Sequence, residues 1–486
     1  MKKLIYVCLL LIGFSINSYA QKETSWWYFG YNAGLNFNIL NDATADDATT
    51  VTNMPEPIVG PLSTREGCFT VSTYDGQLLF SSDGSTVYDK NGDIMTNGTG
   101  LLGNFSATQS GIVIPRPGST TEYYVVTVPA VGGTDGLNYS TIDITMSGGL
   151  GAVTSKNNII KSGSVYENIA AVPNSNGKDY WLLHRTLQTF YVWAVTATGI
   201  ATTPAFTITN SLINTVRYPG EIVVSSDFLK IASFNHSGGQ VISAIFNPAT
   251  GQISNVQVLE TGLITYGGTF SPNNKYLYVG VLENTGDLYN ITWDNLRAGN
   301  SMTYLGKGFV NVKVGLNKRL YGVEVSVNSP ETPTKNLSVV MNPDEGGTNI
   351  KYFTNYLKNE AAFGLPAFAA GFIRIIPKEQ PFACTAHDRT YSVEVDLSGG
   401  NAPARLEWYF GDGTARVNQT VTTSQSEYSQ KHSYNNSGLY TITVTPYKAD
   451  GTSLTPITME ANIVDCSLKA NRMTRSDLLN SKQLAE

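Results

Sequence analysis

Six short stretches of the chain repeat one pattern, in which a polar turn precedes an alternating run of apolar and aromatic residues. The stretches start at Tyr74, Ser119, Asn176, Ser225, Pro272 and Leu316. Their spacing of roughly 43 to 56 residues suits a unit of four short strands. A small-residue strand precedes each stretch and one or two strands follow it, with Gly, Asn and Asp turns between them. Because no long stretch shows apolar residues at helical spacing, the pattern predicts an all-β fold, a β-propeller.

The two ends of the repeat region indicate how the ring closes. The segment "WWYFGYNAGLNFN" has the character of the second and third strands of a blade but follows no first strand. Residues 364–376, after the last repeat, contain the small residues of an inner strand. We expect both ends to form one composite blade, so that neither leaves an unpaired edge. With the six internal units this predicts about seven blades.

The N-terminal residues 1–20 have the pattern of a secretory signal. Two lysines precede an apolar run from Leu4 to Phe14, and a small residue, Ala20, ends the segment. No later stretch approaches the ~20 apolar residues that span a bilayer. We therefore expect an exported protein with no transmembrane segment in the mature chain.

Charge and cysteine content restrict the partners and the compartment. The formal net charge of -6 gives no basic footprint for nucleic acid. Without the signal, three cysteines remain, Cys68, Cys384 and Cys466. In an oxidising compartment this favours one disulfide and one buried thiol.

After Pro377 the pattern changes to that of a second domain. The residues Trp408, Phe410, Gly411, Asp412 and Gly413 match a W-x-F-G-D-G core, and Tyr434, Gly438 and Tyr440 match a later Y-x-x-x-G-x-Y. From Cys384 to about Asp465 the chain thus resembles the polycystic kidney disease (PKD) domain, an immunoglobulin-like β-sandwich. We expect these eight residues to be structural, with Trp408 in the core and Asp412-Gly413 in a tight turn. Because Cys384 and Cys466 flank the module, we predict a disulfide between them.

The larger segment resembles another group of proteins. The stretches "WYFGYNAGLNFN", "TQSGIVIPRPG" and "NGKDYWLLH" are similar to the N-terminal propeller of exported Bacteroidetes proteins, many of which carry PKD modules and a type IX sorting domain. The resemblance covers most of residues 26–376 and implies a cell-surface or secreted setting. The residues after Cys466 are fewer than the usual sorting domain requires. We therefore expect a periplasmic or machine-associated role, such as an accessory of type IX secretion or gliding.

These observations predict four segments. They are a signal peptide at 1–20, the propeller at 21–377, the PKD domain at 378–466 and a flexible tail at 467–486. In the tail, Met473, Leu478, Leu479 and Leu484 lie where a short helix gathers them on one side. The tail is either a frayed terminus or a docking segment that orders on a partner, and we predict that it contributes to binding an envelope partner.

Candidate catalytic or metal-binding motifs are incomplete. Asp89, Asn91 and Asp93 resemble the start of a calcium loop, but the required Gly and distal Glu are missing, so we interpret them as a hairpin turn. Asp83 and Tyr88 fail the spacing of the sialidase Asp-box. The histidines have no second ligand at metal spacing; they are His184, His236, His387 and His432.

Three positions close together in sequence, 65, 66 and 68, leave alternatives open. Cys68 is either a nucleophile or a small buried residue of a strand, and no histidine beside it in sequence supports the first. Arg65 and Glu66 mark either a site in the channel or a buried ion pair between blades. The sequence assembles no nucleophile, base and oxyanion donor, so we predict no catalytic, metal or cofactor residues.

Two classes of function remain. A propeller enzyme acting on glycans needs carboxylates at the central channel, but the inner strands contain almost no acidic residues. We therefore favour a non-catalytic binding or scaffold protein of the envelope or surface. Its propeller face recognises a protein or glycan, and the PKD module is a spacer or second contact.

Overall fold

The structure is a computed structural model, and it describes residues 22–73, 76–131, 133–176, 179–215, 220–326, 331–370, 375–378, 383–395, 403–422, 427–454 and 456–464. The predicted signal peptide, Cys466 and the predicted tail lie outside these residues. The fold is all-β, with a propeller followed by an immunoglobulin-like sandwich, as predicted.

Seven blades lie in the described part of the chain. Blade 1 has the strands β1 (Trp26–Phe29), β2 (Tyr31–Thr44) and β3 (Thr50–Ser63). Blade 2 has β4 (Phe69–Ser72), β5 (Leu78–Ser82), β6 (Thr86–Asp89) and β7 (Ile94–Thr99), and blade 3 has β8 (Gly111–Pro115), β9 (Glu122–Thr127), β10 (Leu137–Asp143) and β11 (Ala152–Lys161). Blade 4 has β12 (Ala170–Pro173), β13 (Tyr180–Thr186), β14 (Thr189–Thr196), β15 (Gly199–Ile200) and β16 (Phe206–Thr209).

The remaining blades have four strands each. Blade 5 has β17 (Ile222–Val224), β18 (Lys230–Asn235), β19 (Gln240–Asn247) and β20 (Gln252–Glu260), and blade 6 has β21 (Thr265–Phe270), β22 (Tyr276–Val281), β23 (Asp287–Thr292) and β24 (Thr303–Lys307). Blade 7 has β25 (Val312–Val314), β26 (Leu320–Ser326), β27 (Thr332–Val340) and β28 (Ile350–Phe353). Strands within each blade pair antiparallel, and one parallel bridge, Thr96 to Ala152, joins blades 2 and 3.

The six repeated stretches form the second strands of blades 2 to 7, which confirms the predicted repeat. A second strand packs against neighbouring blades on both of its faces, which explains its continuous apolar and aromatic sequence. In β13, for example, the first six residues are all buried. The inner strands are short and rich in small residues because the channel is crowded: a Cβ at Gly267 would lie 2.8 Å from a carboxylate oxygen of Glu221, which precedes the inner strand of blade 5.

The predicted composite blade is wrong. Blade 1 has three strands, and among the described residues of 364–376 there is no strand that pairs with β1. Instead, β1 faces the inner strand of blade 2, where the hydroxyl of Thr70 donates to the carbonyl of Trp26. Polar contacts to a neighbouring blade thus replace the missing inner strand of blade 1.

Blades 7 and 1 close the ring without a shared sheet, through side-chain contacts and a backbone hydrogen bond from the N–H of Asp46 to the carbonyl of Tyr352 at 2.9 Å. The ring of Tyr321 lies 5.9 Å from that of Trp27 and 5.3 Å from that of Phe37, both in T-shaped contacts. At the outer edge, Lys351 forms an ion pair of 2.6 Å with Asp47. The closure therefore depends on aromatic packing and not on a shared sheet.

Residues 361–370, here called the channel segment, run through the interior of the ring. The backbone N–H groups of Phe363 and Ala367 donate to the carbonyls of Arg65 and Cys68 beside the inner strand of blade 2, each at 2.9 Å. Further along, Ala370 donates to a carbonyl in β12 of blade 4 at 2.8 Å. Residues 364–370, the first part of the segment predicted to complete blade 1, thus cross the channel instead.

The C-terminal module consists of two sheets. One contains β29 (Ile375–Lys378), β31 (Arg389–Val395) and β34 (Glu427–His432). The other contains β30 (Ala383–Cys384), β32 (Arg405–Tyr409), β33 (Val417–Thr420), β35 (Gly438–Tyr447) and β36 (Ile457–Val464). The boundary predicted at residue 377 falls inside β29, which pairs with β31 and so belongs to this module.

Cys384 forms a disulfide. Since Cys466 lies outside the described residues, its pairing with Cys384 stays a prediction. We expect the loop closed by these two residues to contribute about 4 kcal/mol to the stability of the module. Intact-mass analysis after alkylation under non-reducing conditions would contradict the pairing if Cys384 and Cys466 were both labelled.

Helical structure is minor in the described residues. Two short helices are α1 (Met146–Gly149) and α2 (Trp293–Arg297). The hydroxyl of Thr292 caps α2 by accepting from the N–H of Asn295. Neither helix has the length and apolar character needed to cross a membrane.

Candidate functional site at the channel mouth

A cavity of about 530 Å³ opens at one end of the central channel. We call it the channel mouth; it is lined by Arg65, Glu66, Ser106, Thr108, Ala130, Val131, Glu167, His236, Ile264, Tyr266, Leu282, Glu331 and Phe363. These residues come from the connections between blades, the loops between second and third strands, the inner strand β21 and the channel segment. Six blades thus contribute to one site, and the volume is in the range of small-ligand pockets.

Arg65 and Glu66 form the centre of a polar network at the mouth. Arg65 donates to Glu66 at 2.5 Å and also forms an ion pair with Glu331. Its guanidinium lies 5.0 Å from the ring centre of Phe363 in the channel segment. The hydroxyl of Tyr266 donates to the other oxygen of Glu66 at 3.1 Å. Arg65 and Glu66 therefore line the cavity, and the ion pair of Arg65 with Glu331 links blades 2 and 7, although the Arg65 side chain is partly exposed and not buried.

Glu167 is the second buried carboxylate of the mouth. It accepts from the N–H of Thr108 at 2.8 Å, from the hydroxyl of Thr108 at 3.0 Å and from the N–H of Val131 at 2.5 Å. These three donors fix its orientation. They are neutral, so they leave the negative charge of Glu167 without a directly bound cation.

Burial shifts the protonation of these groups. Burial, together with the negative charge of Glu167, raises the pKa of Glu66 to about 7. Burial also raises the pKa of Glu167 and raises that of Tyr266 well above its usual value. Burial lowers the pKa of His236, which favours its neutral form. Near neutral pH the mouth therefore contains one carboxyl group poised between its two protonation states.

This shift predicts a pH dependence of stability. Between about pH 4.5 and 7, Glu66 keeps a proton in the folded protein that it loses in the unfolded chain. The free energy of unfolding should therefore fall as pH rises through this window, by about 1.4 kcal/mol per pH unit and about 3 kcal/mol in total. Glu66→Gln should remove this contribution. Its melting temperature should therefore rise relative to that of wild type as pH increases from 5 to 8.

The matched control is Glu122→Gln, which removes a carboxylate from a partly exposed ion pair with Arg116. Thermal melts of all three proteins from pH 4.5 to 8 measure the effect. If Glu66→Gln and wild type lose stability in parallel over that range, Glu66 does not carry the shifted pKa.

The opposite end of the channel contains a second cavity, of about 490 Å³. Residues 366–370 of the channel segment line it, whereas Phe363 lines the mouth, so the segment lies between the two cavities. Within the ring, Glu221 forms an ion pair with Lys313 at 2.6 Å and accepts from Asn311 at 2.8 Å. This buried charge is compensated and holds blades 5 and 7 together.

Other residues considered from the sequence lie in structural roles. Asp89 accepts from the N–H groups of Asn91 and Asp93 in the turn between β6 and β7, which confirms the hairpin interpretation. Asp83 likewise accepts from two backbone N–H groups in the preceding turn. Cys68 is a buried free thiol whose pKa is raised by burial, which disfavours the nucleophilic thiolate.

The histidines do not come together. His184 is buried in β13, with its ring nitrogens 2.6 Å from the carbonyl of Asn168 and 2.7 Å from the hydroxyl of Thr186. Burial lowers the pKa of His184 to about 3, so the ring is neutral. His387 is exposed in the C-terminal module, and His432 pairs with Asp412. Within the described ranges, no three His, Cys, Asp or Glu side chains cluster in a way that could hold a metal ion.

The PKD motif residues surround the core and one turn of the C-terminal module. Trp408, Phe410 and Tyr434 are buried, and the ring of Tyr440 stacks on that of Tyr434 at 4.3 Å. Gly411 and Gly413 have φ angles of 78° and 84°, and Gly438 begins β35. Burial acts to raise the pKa of Asp412, but hydrogen bonds from Thr414 and His432 outweigh it and lower the pKa.

Glu167, Tyr266 and Glu331 are the mouth residues that sequence reasoning missed. They lie on separate blades, between 65 and 164 residues apart in sequence, so no local motif contains them. One signal was present: Glu66, Glu167 and Glu221 all precede the inner strands of their blades by one to three residues. The acidic residues of the channel therefore lie just outside the inner strands, where the strand sequences alone did not reveal them.

Comparison with known proteins identifies the C-terminal module. Residues 373–460 match the PKD domain family. This range contains the disulfide-bonded Cys384 and all eight residues of the predicted motif. PKD domains typically occur in extracellular proteins.

Solved structures resemble the propeller at low identity. A Bacteroides fragilis protein described as a candidate 6-phosphogluconolactonase is 13% identical over 70% of this chain and 98% of its own, with a TM-score of 0.43. The periplasmic gluconolactonase of Pseudomonas aeruginosa is 10% identical over 71% of this chain and 97% of its own, with a TM-score of 0.35. A Lactobacillus plantarum protein is 11% identical over 82% of this chain and 96% of its own, with a TM-score of 0.37.

Likenesses this weak do not indicate an activity for this chain. The search for sequence relatives among curated proteins gave no match.

Proposed function

We propose that the protein is an exported, non-catalytic binding protein of the cell envelope or surface, and that it recognises its ligand at the face containing the channel mouth. The observation that carries the proposal is the cavity of about 530 Å³, in which charged side chains from several blades are held in fixed orientations. Preorganised polar groups in a cavity of this size favour selective binding. The PKD module acts as a spacer or second contact, and its usual extracellular setting supports export.

Binding is favoured over catalysis by the hydrogen bonds at the mouth. The oxygens of Glu167 already accept three hydrogen bonds, and those of Glu66 accept from Arg65 and Tyr266. These carboxylates are 6% and 8% exposed, so they set the charge of the cavity while presenting little surface to a substrate.

Photo-crosslinking on intact cells tests the proposal. A p-benzoylphenylalanine at position 105, beside the mouth residue Ser106, should give a specific crosslinked product. The control places the same group at Met146, which is also exposed but lies between the third and fourth strands of blade 3, on the opposite face. Equal crosslinking from both positions, or from neither, would contradict a recognition surface at the mouth.

A second candidate, a glycan-active enzyme, is favoured by one observation. Glu66 has a pKa near 7 and interacts with the charge of Glu167, which is the arrangement of an acid and base pair. Such an enzyme would release reducing ends from a polysaccharide, and Glu66→Gln would lower the rate by about 10² or more. Retention of the rate in both Glu66→Gln and Glu167→Gln would exclude these carboxylates as the catalytic pair.

A further inference from the structure

Four large apolar side chains are exposed on loops of the face that contains the channel mouth, and one of them, Ile264, lines the cavity itself. Phe105 is 50% exposed, Leu187 50%, Leu212 68% and Ile264 39%. Phe105, Leu212 and Ile264 lie in connections between blades, and Leu187 lies between the second and third strands of blade 4. These are the two kinds of loop that line the mouth, so all four side chains belong to one face. Single exposed leucines are ordinary, but several on the face that carries a cavity mark an interaction surface.

The loops that carry these side chains are held by hydrogen bonds. The carbonyl of Phe105 accepts from the N–H of Glu66 at 3.0 Å. The carbonyl of Leu212 accepts from the side chain of Gln240 at 3.0 Å, and that of Leu187 accepts from Arg185 at 2.9 Å. Because the loops are already ordered, a partner that covers them loses little free energy to their immobilisation.

The charge at the centre of this face determines the complementary group. The carboxylates of Glu66, Glu167 and Glu331 line the mouth together with a single arginine, Arg65. Arg65 forms its ion pairs with Glu66 and Glu331, and the direct donors to Glu167 are neutral. The mouth therefore has three carboxyl groups against one arginine, and a guanidinium or ammonium group complements their ionised forms.

We propose that this face docks a partner protein through a segment that places a Lys or Arg side chain in the channel mouth. Apolar side chains on either side of this residue cover the four exposed side chains of the face, here called the rim: Phe105, Leu187, Leu212 and Ile264. The inference rests on the proposed function and specifies its partner. A polysaccharide would leave the aliphatic side chains of Leu187 and Leu212 without apolar contacts. A small amine would fill the cavity and leave the whole rim exposed. A protein segment both places a positive charge beside the carboxylates of the mouth and buries the exposed apolar side chains of the rim.

Docking of a cation should be coupled to the proton on Glu66. The ionisable side chains that face Glu66 in the mouth are Arg65, Glu167, Tyr266 and Glu331, with His236 on the same cavity wall. A cation beside them favours the ionised form of Glu66, so binding releases its proton. The affinity should consequently increase as pH rises from 6 to 8.

The test compares two labelled peptide pools on the full mature protein by fluorescence polarisation. Both pools have randomised apolar and polar flanks; one has a central arginine, and the other has citrulline, which has the same shape without the charge. The arginine pool should bind about tenfold tighter. Glu331→Gln, which changes an exposed side chain of the mouth, should reduce this preference. The control Glu345→Gln makes the same charge change on an exposed loop between β27 and β28, on the opposite face, and should leave it unchanged.

Three results would overturn the inference. Equal binding of the two pools would remove the role of charge. Binding of L-arginine amide as tight as that of the arginine pool would make the occupant a small cation. A crosslinked product at position 105 that proves to be carbohydrate, or a protein that neither pool displaces, would retain the recognition surface and exclude the basic segment. Absence of any crosslinked product at position 105 would instead contradict the proposed function itself.

Discussion

Replacing Trp27 with alanine is expected to destabilise the propeller by about 3 to 5 kcal/mol, the usual cost of emptying a large aromatic site in a core. Trp27 is 1% exposed and lies where the first and last blades meet. Its ring is 4.9 Å from that of Phe37, 5.9 Å from that of Tyr321 and 6.1 Å from that of Phe368 in the channel segment. Since no strand is shared between the two blades, this aromatic cluster carries much of the ring closure.

Chemical denaturation measures the effect, with the neighbouring Trp26→Ala as control. Trp26 is only partly buried, and its indole N–H donates to the carbonyl of Gly76. Its loss should cost clearly less than that of Trp27. If the two variants unfold at the same denaturant concentration, Trp27 has no special part in closing the ring.

The repeat and the C-terminal module could be predicted from the sequence because their signals are local. A second strand buried on both faces needs a continuous run of apolar and aromatic residues, and this run recurs in six blades. The PKD motif likewise contains its core tryptophan and its turn within six consecutive residues, 408–413. Such patterns depend on a residue's immediate neighbours and survive without knowledge of the fold.

The number of strands in blade 1 could not be predicted in the same way, although part of the signal was present. The outer strand β3 contains Pro55, Pro57 and Pro61. Proline cannot donate to a ladder, so three prolines indicate a strand at the edge of a sheet. They indicate that no further strand pairs beyond β3, but they do not reveal that the channel segment avoids pairing with β1.

The outer strands of four blades contain a second feature of the sequence that relates to the repeat. Asn53, Asn97, Asn157 and Asn255 occupy the last strands of blades 1, 2, 3 and 5, all with φ between 54° and 57°. Asparagine tolerates this left-handed conformation better than other residues with a side chain. The repeated asparagine thus marks a local irregularity in an outer strand. Its position in each unit would have aligned the repeats with one another.

Only part of the candidate site could be predicted from the sequence, because its residues are distant from one another along the chain. Arg65 and Glu66 are adjacent opposite charges beside Cys68, so the sequence itself makes them candidates. Glu167 and Tyr266 reach the same cavity only because the ring brings blades 4 and 6 to a common axis. Long-range convergence of this kind follows from the closure of the ring, which the sequence pattern did not describe correctly.

The channel segment gives the second large prediction, at Gly364. A Cβ at this position would lie 1.6 Å from the carbonyl oxygen of Glu66, a contact of backbone with backbone that no side-chain rotation relieves. Gly364→Ala must therefore displace the segment or the residue that it touches. We expect a loss of about 3 kcal/mol or more, at the upper end of the cost of overpacking a core.

The same contact links stability to the site, because Glu66 lines the channel mouth. Gly364→Ala should therefore also weaken binding at the mouth and change the pH dependence contributed by Glu66. The control is Gly163→Ala, where a Cβ meets open space and only the positive φ of 80° opposes the substitution. That control should cost about 1 to 2 kcal/mol and leave the pH dependence intact. Equal losses in the two variants, with an unchanged pH profile in both, would show that the channel segment does not press against Glu66 in solution.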